Sequence, residues 1–367
     1  MKKQLLAIAI ILTTIVQAQK KEINLLIGTY TKTCDSKGIY VYSFDTETAE
    51  ATLKSNTENV VNPSFLTVSP DHKFVYAVNE DGDQSKVSAF SYDGQSGKLV
   101  LLNSQSSAGN DPCHIINDDK NVIVSNYSGG SLVVLQKSED GSLKGEKTVN
   151  EFSGSSINKQ RQEKSHIHQA VFSPDKKYVL IADLGTDLIY AYKYHPEKDE
   201  KLEAYKVTEV APGSGPRHLV FSTDGKHVYC IHELDGSVSV YDFNKGKLSL
   251  SYRRFMTLND ASKEENSAAE IAISPDGNYL YTTNRGTFND ITCNKIRKNG
   301  RLEYVERIPT LGKGPRSFAI DPTGKFLLVA HQYTNNIVIF SINKETGKLT
   351  DTGKRIELCS PVCLVFE

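Results

Sequence analysis

A unit of two short apolar strands joined by a tight turn recurs along the whole chain, and this repetition restricts the fold more than any other feature. The unit begins near Pro63, Pro112, Ile167, Pro216, Ala268, Pro315 and Pro361, at spacings of 46 to 55 residues. Its turns carry S-P-D, T-D-G or P-T-G, in which aspartate, proline and glycine provide the required backbone geometry. Apolar and polar residues alternate, with many β-branched and aromatic side chains, which indicates strands and not helices.

Each two-stranded unit is followed by an alternating strand, such as KVSAFSYD or GSVSVYDF, and by a fourth, more polar strand. Four strands repeated at this interval are typical of a β-propeller blade. The unit at Pro361 stops after seven residues, and INLLIGTY, GIYVYSFD and ATLKSNT, which could complete it, precede Pro63. The sequence therefore predicts an all-β fold: one seven-bladed β-propeller over residues 19–367, made of four-stranded antiparallel blades. The last blade is closed by N- and C-terminal strands, which leaves no open edge.

The first residues predict export. Two lysines precede the apolar run LLAIAIILTTIV, and a small residue, Ala18, follows shortly after. This pattern is typical of a secretory signal peptide, here residues 1–18, and places the mature protein outside the cytoplasm, in the periplasm, without a membrane anchor. The net charge of −1 and the lack of a polybasic stretch argue against nucleic acid and membrane surfaces as partners.

Six cysteines in an exported chain raise the question of disulfides. Cys359 and Cys363 lie four residues apart in a strand-like segment, so their Cα atoms would be roughly 13 Å apart, too far for a mutual bridge. Cys113 and Cys230 lie within apolar strands and are expected in the core. We therefore predict no disulfide.

Charged residues occur at the ends of the recurring strands. In a propeller blade the innermost strand begins, and the second strand ends, on the same face near the central axis. The predicted ring around this mouth contains Asn79, Glu80, His114, Asn126, His166, His168, Asp183, Arg217, His218, His232, Glu233, Glu270, Asn284, Arg285, Arg316, His331 and Gln332.

Arginines and histidines beside carboxylates suit a small anionic or polyhydroxylated ligand. Arginine binds carboxylate or phosphate through a rigid fork, and histidine transfers protons near neutral pH. The insertion EFSGSSINKQRQEKSH, residues 151–166, could overhang the mouth or could be a plain linker. A hydrated polar channel without function is the alternative interpretation of the whole ring.

Other site chemistries find little support. His166 and His168 would share one side of a strand, but no further ligand stands at a convincing spacing, so no metal and no other cofactor is predicted. The chain has no nucleophile elbow, Walker loop or dinucleotide-binding fingerprint.

At this point the sequence resembles the seven-bladed lactonase family, which includes propeller-type 6-phosphogluconolactonases and fungal 3-carboxy-cis,cis-muconate lactonizing enzymes. The resemblance covers essentially the whole mature chain and rests on IGTYT, HIHQAVFSPD, GPRHLVFSTDGKHVYCIHEL, NRG, GKGPRSFAIDPTGKFLLVAHQ and SPVCLVF. It implies a catalytic set of one histidine, two arginines and one glutamate, which maps onto His168, Arg217, Glu233 and Arg285. His166 is the alternative histidine.

These observations lead to the hypothesis of a metal-independent hydrolase for sugar-acid lactones. Arg217 and Arg285 would hold the anionic group and the developing oxyanion, and Glu233 and His168 would share the base and acid roles in either order. The other substrate-binding candidates are His166, His218, Asn284, Arg316, His331 and Gln332. Two alternatives stay open: a muconate-type lactonizing cycloisomerase, and an exported propeller that binds a ligand without catalysis. The family name predicts the reaction better than the substrate, since phosphorylated lactones are scarce outside the cytoplasm, and the oligomeric state is left open.

Overall fold

A computed structural model describes residues 21–255 and 266–367, so the predicted signal peptide lies outside the described residues. Apart from one turn of 3₁₀ helix at Gly82–Gln84, the regular elements of these residues are strands. In chain order the strands are β1 (Glu22–Thr29), β2 (Ile39–Asp45), β3 (Ala51–Asn56), β4 (Leu66–Val68), β5 (Phe74–Asn79), β6 (Lys86–Asp93), β7 (Lys98–Ser106), β8 (Pro112–Asn117), β9 (Asn121–Asn126), β10 (Ser131–Lys137), β11 (Leu143–Glu151), β12 (Ile167–Phe172), β13 (Tyr178–Asp183), β14 (Leu188–Tyr194), β15 (Leu202–Glu209), β16 (Pro216–Phe221), β17 (His227–His232), β18 (Ser237–Asn244), β19 (Lys247–Phe255), β20 (Asn266–Ile273), β21 (Tyr279–Gly286), β22 (Asp290–Ile296), β23 (Leu302–Pro309), β24 (Pro315–Ile320), β25 (Phe326–His331), β26 (Asn336–Ile342), β27 (Leu349–Glu357) and β28 (Pro361–Phe366).

The strands form seven four-stranded antiparallel sheets, which confirms the predicted seven-bladed propeller. Six blades are each made of four consecutive strands, from β4–β7 to β24–β27. In the seventh blade the order is β28-β1-β2-β3, with Leu25 opposite Phe366 and Gly28 opposite Cys363. The termini therefore close the ring by backbone hydrogen bonds, as predicted, and the closing blade has four strands like the other six.

The core lies between the blades. In the described part of the chain, buried apolar side chains form seven clusters, and each cluster joins residues of two neighbouring blades. Tyr76, Tyr229 and Tyr281 are among the largest fully buried side chains, and each belongs to such a cluster. Because every blade is packed on both sides, the innermost strands are held around one central channel.

Four of the turns between the first and second strands share one local hydrogen-bond pattern. In four blades a serine hydroxyl donates to the aspartate two residues later and accepts the backbone N–H five residues on, as for Ser173 with Asp175 (2.7 Å) and Tyr178 (3.0 Å). Ser69, Ser222 and Ser274 repeat the pattern. This side-chain to backbone bonding explains why S-P-D and S-T-D-G recur in the sequence.

A β-bulge lies at the start of most innermost strands. Pro216 pairs with His232 and His218 with Ile231, so Arg217 is the extra residue in its strand. The same shift makes Cys113, His168 and Arg316 the extra residues of β8, β12 and β24. A bulge redirects the side chain of the inserted residue. Repeated around the ring, it points one side chain per blade towards the mouth of the channel.

The prediction that the cysteines are unbridged is wrong for one pair. Cys34, in the loop after β1, forms a disulfide with Cys359, just before β28, with the two Cα atoms 6.0 Å apart. The partners are 325 residues apart in the chain, so their pairing follows from blade closure and no local spacing reveals it. Cys113 and Cys230 are buried and unbridged, as predicted for them, and Cys293 and Cys363 are likewise free.

Replacement of both Cys34 and Cys359 by serine should lower the free energy of unfolding by about 2–5 kcal/mol, because the bridge closes a very long loop in the unfolded chain. Guanidinium denaturation of the wild type and the double variant measures the difference. A reducing agent should destabilise the wild type and leave the double variant unchanged. Equal denaturation midpoints would contradict a stabilising role for the bridge.

Within residues 21–255 and 266–367, no helix has the length and apolar character needed to cross a bilayer.

Candidate active site

The mouth of the channel holds a cavity of about 360 Å³. Its walls are Tyr30, Glu80, Cys113, Tyr127, Arg161, His168, Glu233, Ser267, Arg285 and Arg316. Seven of the nine blade-derived positions follow two rules: they are either bulge residues of innermost strands or the residue one step beyond the inward end of a second strand. The exceptions are Arg285, within β21, and Ser267, near the start of β20. The cavity is therefore built by the same repeated geometry as the fold.

Glu233 is the centre of the charge cluster. Its Oε2 accepts a hydrogen bond from Nε of Arg217 at 3.0 Å and lies 3.1 Å from Nη2 of Arg285. Its Oε1 accepts from Nη2 of Arg161 at 2.6 Å and from the hydroxyl of Ser267 at 3.2 Å. Three guanidinium groups thus share one buried carboxylate, and these residues come from two neighbouring blades and one inserted loop.

The charge state of Glu233 follows from two opposed effects. Burial raises the pKa of its carboxyl, but the neighbouring Arg285, Arg217 and Arg161 guanidinium groups outweigh burial and hold the pKa well below its usual range. Glu233 is therefore ionised at any physiological pH. Both oxygens of the Glu233 carboxylate are engaged by guanidinium groups, so its main effect is to orient the arginines.

His168 lies beside this cluster, with its Nε2 4.0 Å from Oε2 of Glu233. Its ring is edge-on to those of His218, at 5.1 Å, and Tyr127, at 5.6 Å. Burial, followed by the charge of Arg217, lowers the pKa of His168 well below its ordinary value. The imidazole is accordingly neutral and able to accept a proton at the cavity wall.

Arg217 stands behind the cavity wall. It is 2 % exposed, donates to Glu233, and its Nη1 donates to the carbonyl oxygen of Ala269. Burial and the nearby Arg285 lower the pKa of Arg217 to about 10. Beside it, Nδ1 of His218 is 2.7 Å from Glu270, deeper in the channel. Arg217 therefore supports Glu233 from behind the wall, and its predicted contact with substrate stays a prediction.

Arg316 differs from the other arginines of the cavity. In the described part of the chain its guanidinium has no hydrogen-bond partner, and it lies over the ring of Tyr30 at 5.6 Å. The Tyr30 hydroxyl donates to Glu80 at 2.8 Å. Arg316 therefore presents free donors to the cavity, which is the arrangement expected of an anion-binding residue.

Besides His218, four predicted substrate-binding residues lie outside the cavity walls. His331 is fully buried beneath Gly312, where a Cβ would collide with its ring. The side-chain Oδ1 of Asn284 accepts from the Ser267 backbone N–H at 3.2 Å. His166 stacks on Tyr127 at 4.5 Å, and its Nε2 lies 3.1 Å from Glu163. Gln332 is the fourth: its backbone N–H donates to Gly314 at 2.9 Å.

The reason for this correction is strand alternation. The final residues of the second strands, such as Asn126, His232 and His331, are fully buried in the blade. The residue that follows, Glu233 after His232 for example, has the opposite side-chain direction and faces the axis. At four second-strand ends the sequence-based ring included both adjacent positions, although only one of each pair can face the axis. Alternation does not account for His166, His218 or Gln332.

Sequence reasoning missed Arg161, Tyr127, Tyr30 and Ser267 as site residues and placed Cys113 in the core alone. Arg161 belongs to the insertion of residues 151–166, which the sequence marked as a possible overhang. Tyr127 could have been found from its position directly after β9, the equivalent of Glu233 after β17. Tyr30, directly after β1, holds the equivalent position in the closing blade, whereas Ser267 carries no sequence signal of this kind.

Because several histidines are buried and neutral, we expect the free energy of unfolding to depend on pH. Burial lowers the pKa of His331 to about 4 and also lowers the pKa of His114 and His168. In the unfolded chain histidine titrates near pH 6.5, so the unfolded state binds more protons in acid. The free energy of unfolding should be constant above pH 7 and fall by about 3 kcal/mol or more as the pH drops from 6.5 towards 4.

Urea denaturation between pH 7.5 and pH 4.5 measures this loss. In His331→Asn one histidine fewer titrates, so the slope against pH should be smaller by up to about 1.4 kcal/mol per pH unit. A wild-type stability that stays level down to pH 4.5 would contradict the buried neutral histidines.

In the described ranges, no group of three or more His, Cys, Asp or Glu side chains is arranged to hold a metal ion.

Known proteins with similar sequences and structures share this architecture. The model of the lactonase family of seven-bladed β-propellers matches residues 24–366. The chain is 41 % identical over 335 residues to a 6-phosphogluconolactonase of Formosa agariphila, covering 89 % of this chain and 94 % of that protein. A putative 6-phosphogluconolactonase from Bacteroides fragilis has 42 % identity and a TM-score of 0.91, covering 95 % and 98 % of the two chains.

The periplasmic gluconolactonase of Pseudomonas aeruginosa is similar at 33 % identity with a TM-score of 0.88, over 94 % of this chain and 99 % of the other. The family match over residues 24–366 extends from β1 to β28, and it thus includes every blade that contributes to the cavity. This chain belongs to the seven-bladed β-propeller lactonase family.

Proposed function

We propose that the protein hydrolyses sugar-acid lactones and is therefore a carboxylic ester hydrolase. The observation that carries the proposal is the charge cluster at the mouth, in which Glu233 holds three guanidinium groups beside the neutral imidazole of His168. Such fixed positive charges stabilise the oxyanion that forms when water attacks an ester carbonyl. Family membership and the names of the relatives support the same reaction.

Substrate binding is assigned to the arginines with free donors. Arg316 would bind an anionic or polyhydroxylated part of the substrate, because its guanidinium is not used by another side chain of the described residues. Arg285 lines the same cavity, and its side chain is 12 % exposed. A sugar-acid lactone with several hydroxyl groups fits a cavity of about 360 Å³.

In the proposed reaction, a water oxygen attacks the lactone carbonyl carbon while His168 takes one proton from that water. The negative charge that develops on the carbonyl oxygen is stabilised by Arg285. The bond between the carbonyl carbon and the ring oxygen then breaks, and His168 returns the proton to the ring oxygen, which leaves as a hydroxyl group. The product is an open-chain carboxylic acid that releases its proton to solvent. Glu233 orients the arginines throughout.

Export to the periplasm is part of the proposal. Its support is the basic and apolar start of the sequence, the Cys34–Cys359 disulfide, which forms readily in an oxidising compartment, and the similarity to a periplasmic gluconolactonase. Mass spectrometry of the protein purified from a periplasmic fraction should find a chain that begins near Gln19. A full-length chain in the cytoplasmic fraction would contradict export.

The activity is tested by adding the purified mature protein to a panel of lactones and following acid release with a pH indicator. The panel contains glucono-δ-lactone, its 6-phosphate and a γ-lactone of a sugar acid. We expect at least one sugar-acid lactone to open far faster than it does spontaneously, and a muconate assay in parallel to show no cyclisation. Rates equal to spontaneous hydrolysis for the whole panel would contradict the proposed function.

A further inference from the structure

The hydroxyl group of Tyr127 is a cavity donor that the reaction described above leaves unused. Tyr127 follows β9 directly and lines the cavity together with His168 and Arg285. Its phenolic oxygen accepts a hydrogen bond from Nη2 of Arg161 at 3.2 Å. A phenol that accepts from a cation retains its own O–H for donation.

The two phenols of the cavity differ in this respect. The hydroxyl of Tyr30 donates to Glu80 at 2.8 Å, so its proton is already used. The proton of the Tyr127 hydroxyl has no acceptor among residues 21–255 and 266–367. Burial and the nearby Glu233 raise the pKa of Tyr127, so the group stays protonated across the working range. Tyr127 thus has a free O–H in a cavity where an ester carbonyl would lie.

The ring of Tyr127 is held in place on two sides. One face stacks on His166 with an interplanar angle of 17°, and Nδ1 of His166 lies 3.1 Å from the Tyr127 backbone oxygen. The ring is also edge-on to His168, with centroids 5.6 Å apart. A donor fixed in this way needs little reorganisation when charge develops next to it.

Arg161, which contacts the hydroxyl, is itself fixed by the inserted loop of residues 151–166. Its neighbour Gln162 is fully buried, donates to the carbonyl oxygen of Leu184 at 2.9 Å and accepts from the backbone N–H of Asn158 at 3.2 Å. The Arg161 side chain is 41 % exposed and pairs with Glu233. The insertion is thus fixed by the contacts of Gln162, and it places the guanidinium of Arg161 at the cavity wall.

We propose that Tyr127 is a further catalytic residue, whose hydroxyl donates a hydrogen bond to the carbonyl oxygen of the lactone as that oxygen gains negative charge, and that Arg161 strengthens this donor. The inference rests on the proposed lactone hydrolysis. The hydroxyl keeps its proton throughout, so no proton is gained or lost at this residue. His166 then has a positioning role, because it supports the ring from its other face.

The test is Tyr127→Phe, which removes the hydroxyl and keeps the ring that stacks on His166. We expect kcat for the lactone selected by the panel to fall about 100-fold while KM changes less than about threefold, because the bond forms mainly in the transition state. Tyr205→Phe is the matched control: this tyrosine is 37 % exposed on an outer strand, and activity should be unchanged.

A double-mutant cycle with Arg161→Gln separates catalysis from packing. Because Arg161 acts partly through the hydroxyl, the double variant should lose less than the product of the two single losses. A kcat of Tyr127→Phe within twofold of the wild type, or a pure rise in KM, would overturn the inference and leave the proposed function intact. An inactive wild type would overturn both.

Discussion

Replacement of Arg285 by alanine is expected to reduce kcat/KM for a sugar-acid lactone about 1000-fold while the propeller remains folded. Arg285 donates to the hydroxyl of Ser267 at 2.8 Å and to its carbonyl oxygen at 3.1 Å, and it stands 3.1 Å from Glu233. Its guanidinium is thereby aimed at the cavity. Removal of one fixed donor to an oxyanion typically costs 100- to 1000-fold in rate, and here a full charge is lost as well.

Steady-state kinetics of the purified variant measure this effect. Arg285→Lys keeps the charge but not the forked geometry, so we expect an intermediate loss of about 10- to 100-fold. Arg297→Ala is the matched control, because Arg297 lies in an exposed turn after β22 and pairs with Glu303 on the surface. An Arg285→Ala enzyme with more than a tenth of wild-type kcat/KM would contradict the role assigned to this arginine.

Replacement of Glu233 by glutamine should lower stability and activity together. The side chain of Glu233 is 6 % exposed and is the shared counter-charge of Arg161, Arg217 and Arg285. Without it, three guanidinium groups repel one another in a largely dry site, and removal of one partner of a buried ion pair costs about 3–5 kcal/mol. With the arginines displaced, we expect kcat/KM to fall at least about 100-fold.

Guanidinium denaturation with and without phosphate identifies the cause of that loss. An added anion can replace the missing carboxylate, so phosphate should stabilise Glu233→Gln more than the wild type. Glu303→Gln removes an exposed carboxylate with 51 % side-chain exposure and should cost less than about 1 kcal/mol. A Glu233→Gln protein as stable as the wild type would show that the arginines do not depend on this carboxylate.

The fold was predictable from the sequence because every blade of a propeller repeats the same strand pattern. Each blade carries the same apolar strand pair, four blades share the serine–aspartate turn, and the incomplete unit at Pro361 matches the strands before Pro63. Closure of the ring follows from this pairing of the termini. The disulfide between Cys34 and Cys359 was not predictable, because the two residues meet only after the blade has closed.

The site was predictable to the extent that it follows the repeat. Arg217 and His168 are bulge residues, Glu233 directly follows the second strand of its blade, and Arg285 lies near the end of its own second strand, so the sequence indicated their common location. His331 was assigned incorrectly because the sequence did not reveal which of two adjacent strand-end residues faces the axis.

Contributions from outside the repeat were missed. Arg161 comes from an insertion whose path over the mouth depends on contacts such as Gln162 with Leu184, which no spacing reveals. Ser267 reaches Glu233 from the neighbouring blade. Tyr127 directly follows β9, but the sequence does not reveal that the Arg161 guanidinium contacts its hydroxyl.

The central claim is that the neutral histidine at the mouth performs proton transfer in lactone hydrolysis. The most direct measurement is kcat/KM for the selected lactone in the wild type, in His168→Asn and in His195→Asn, whose histidine pairs with Glu203 at 3.1 Å on the opposite rim. We predict a loss of about 100-fold or more for His168→Asn and wild-type activity for His195→Asn. Equal activity of the two variants would contradict the account.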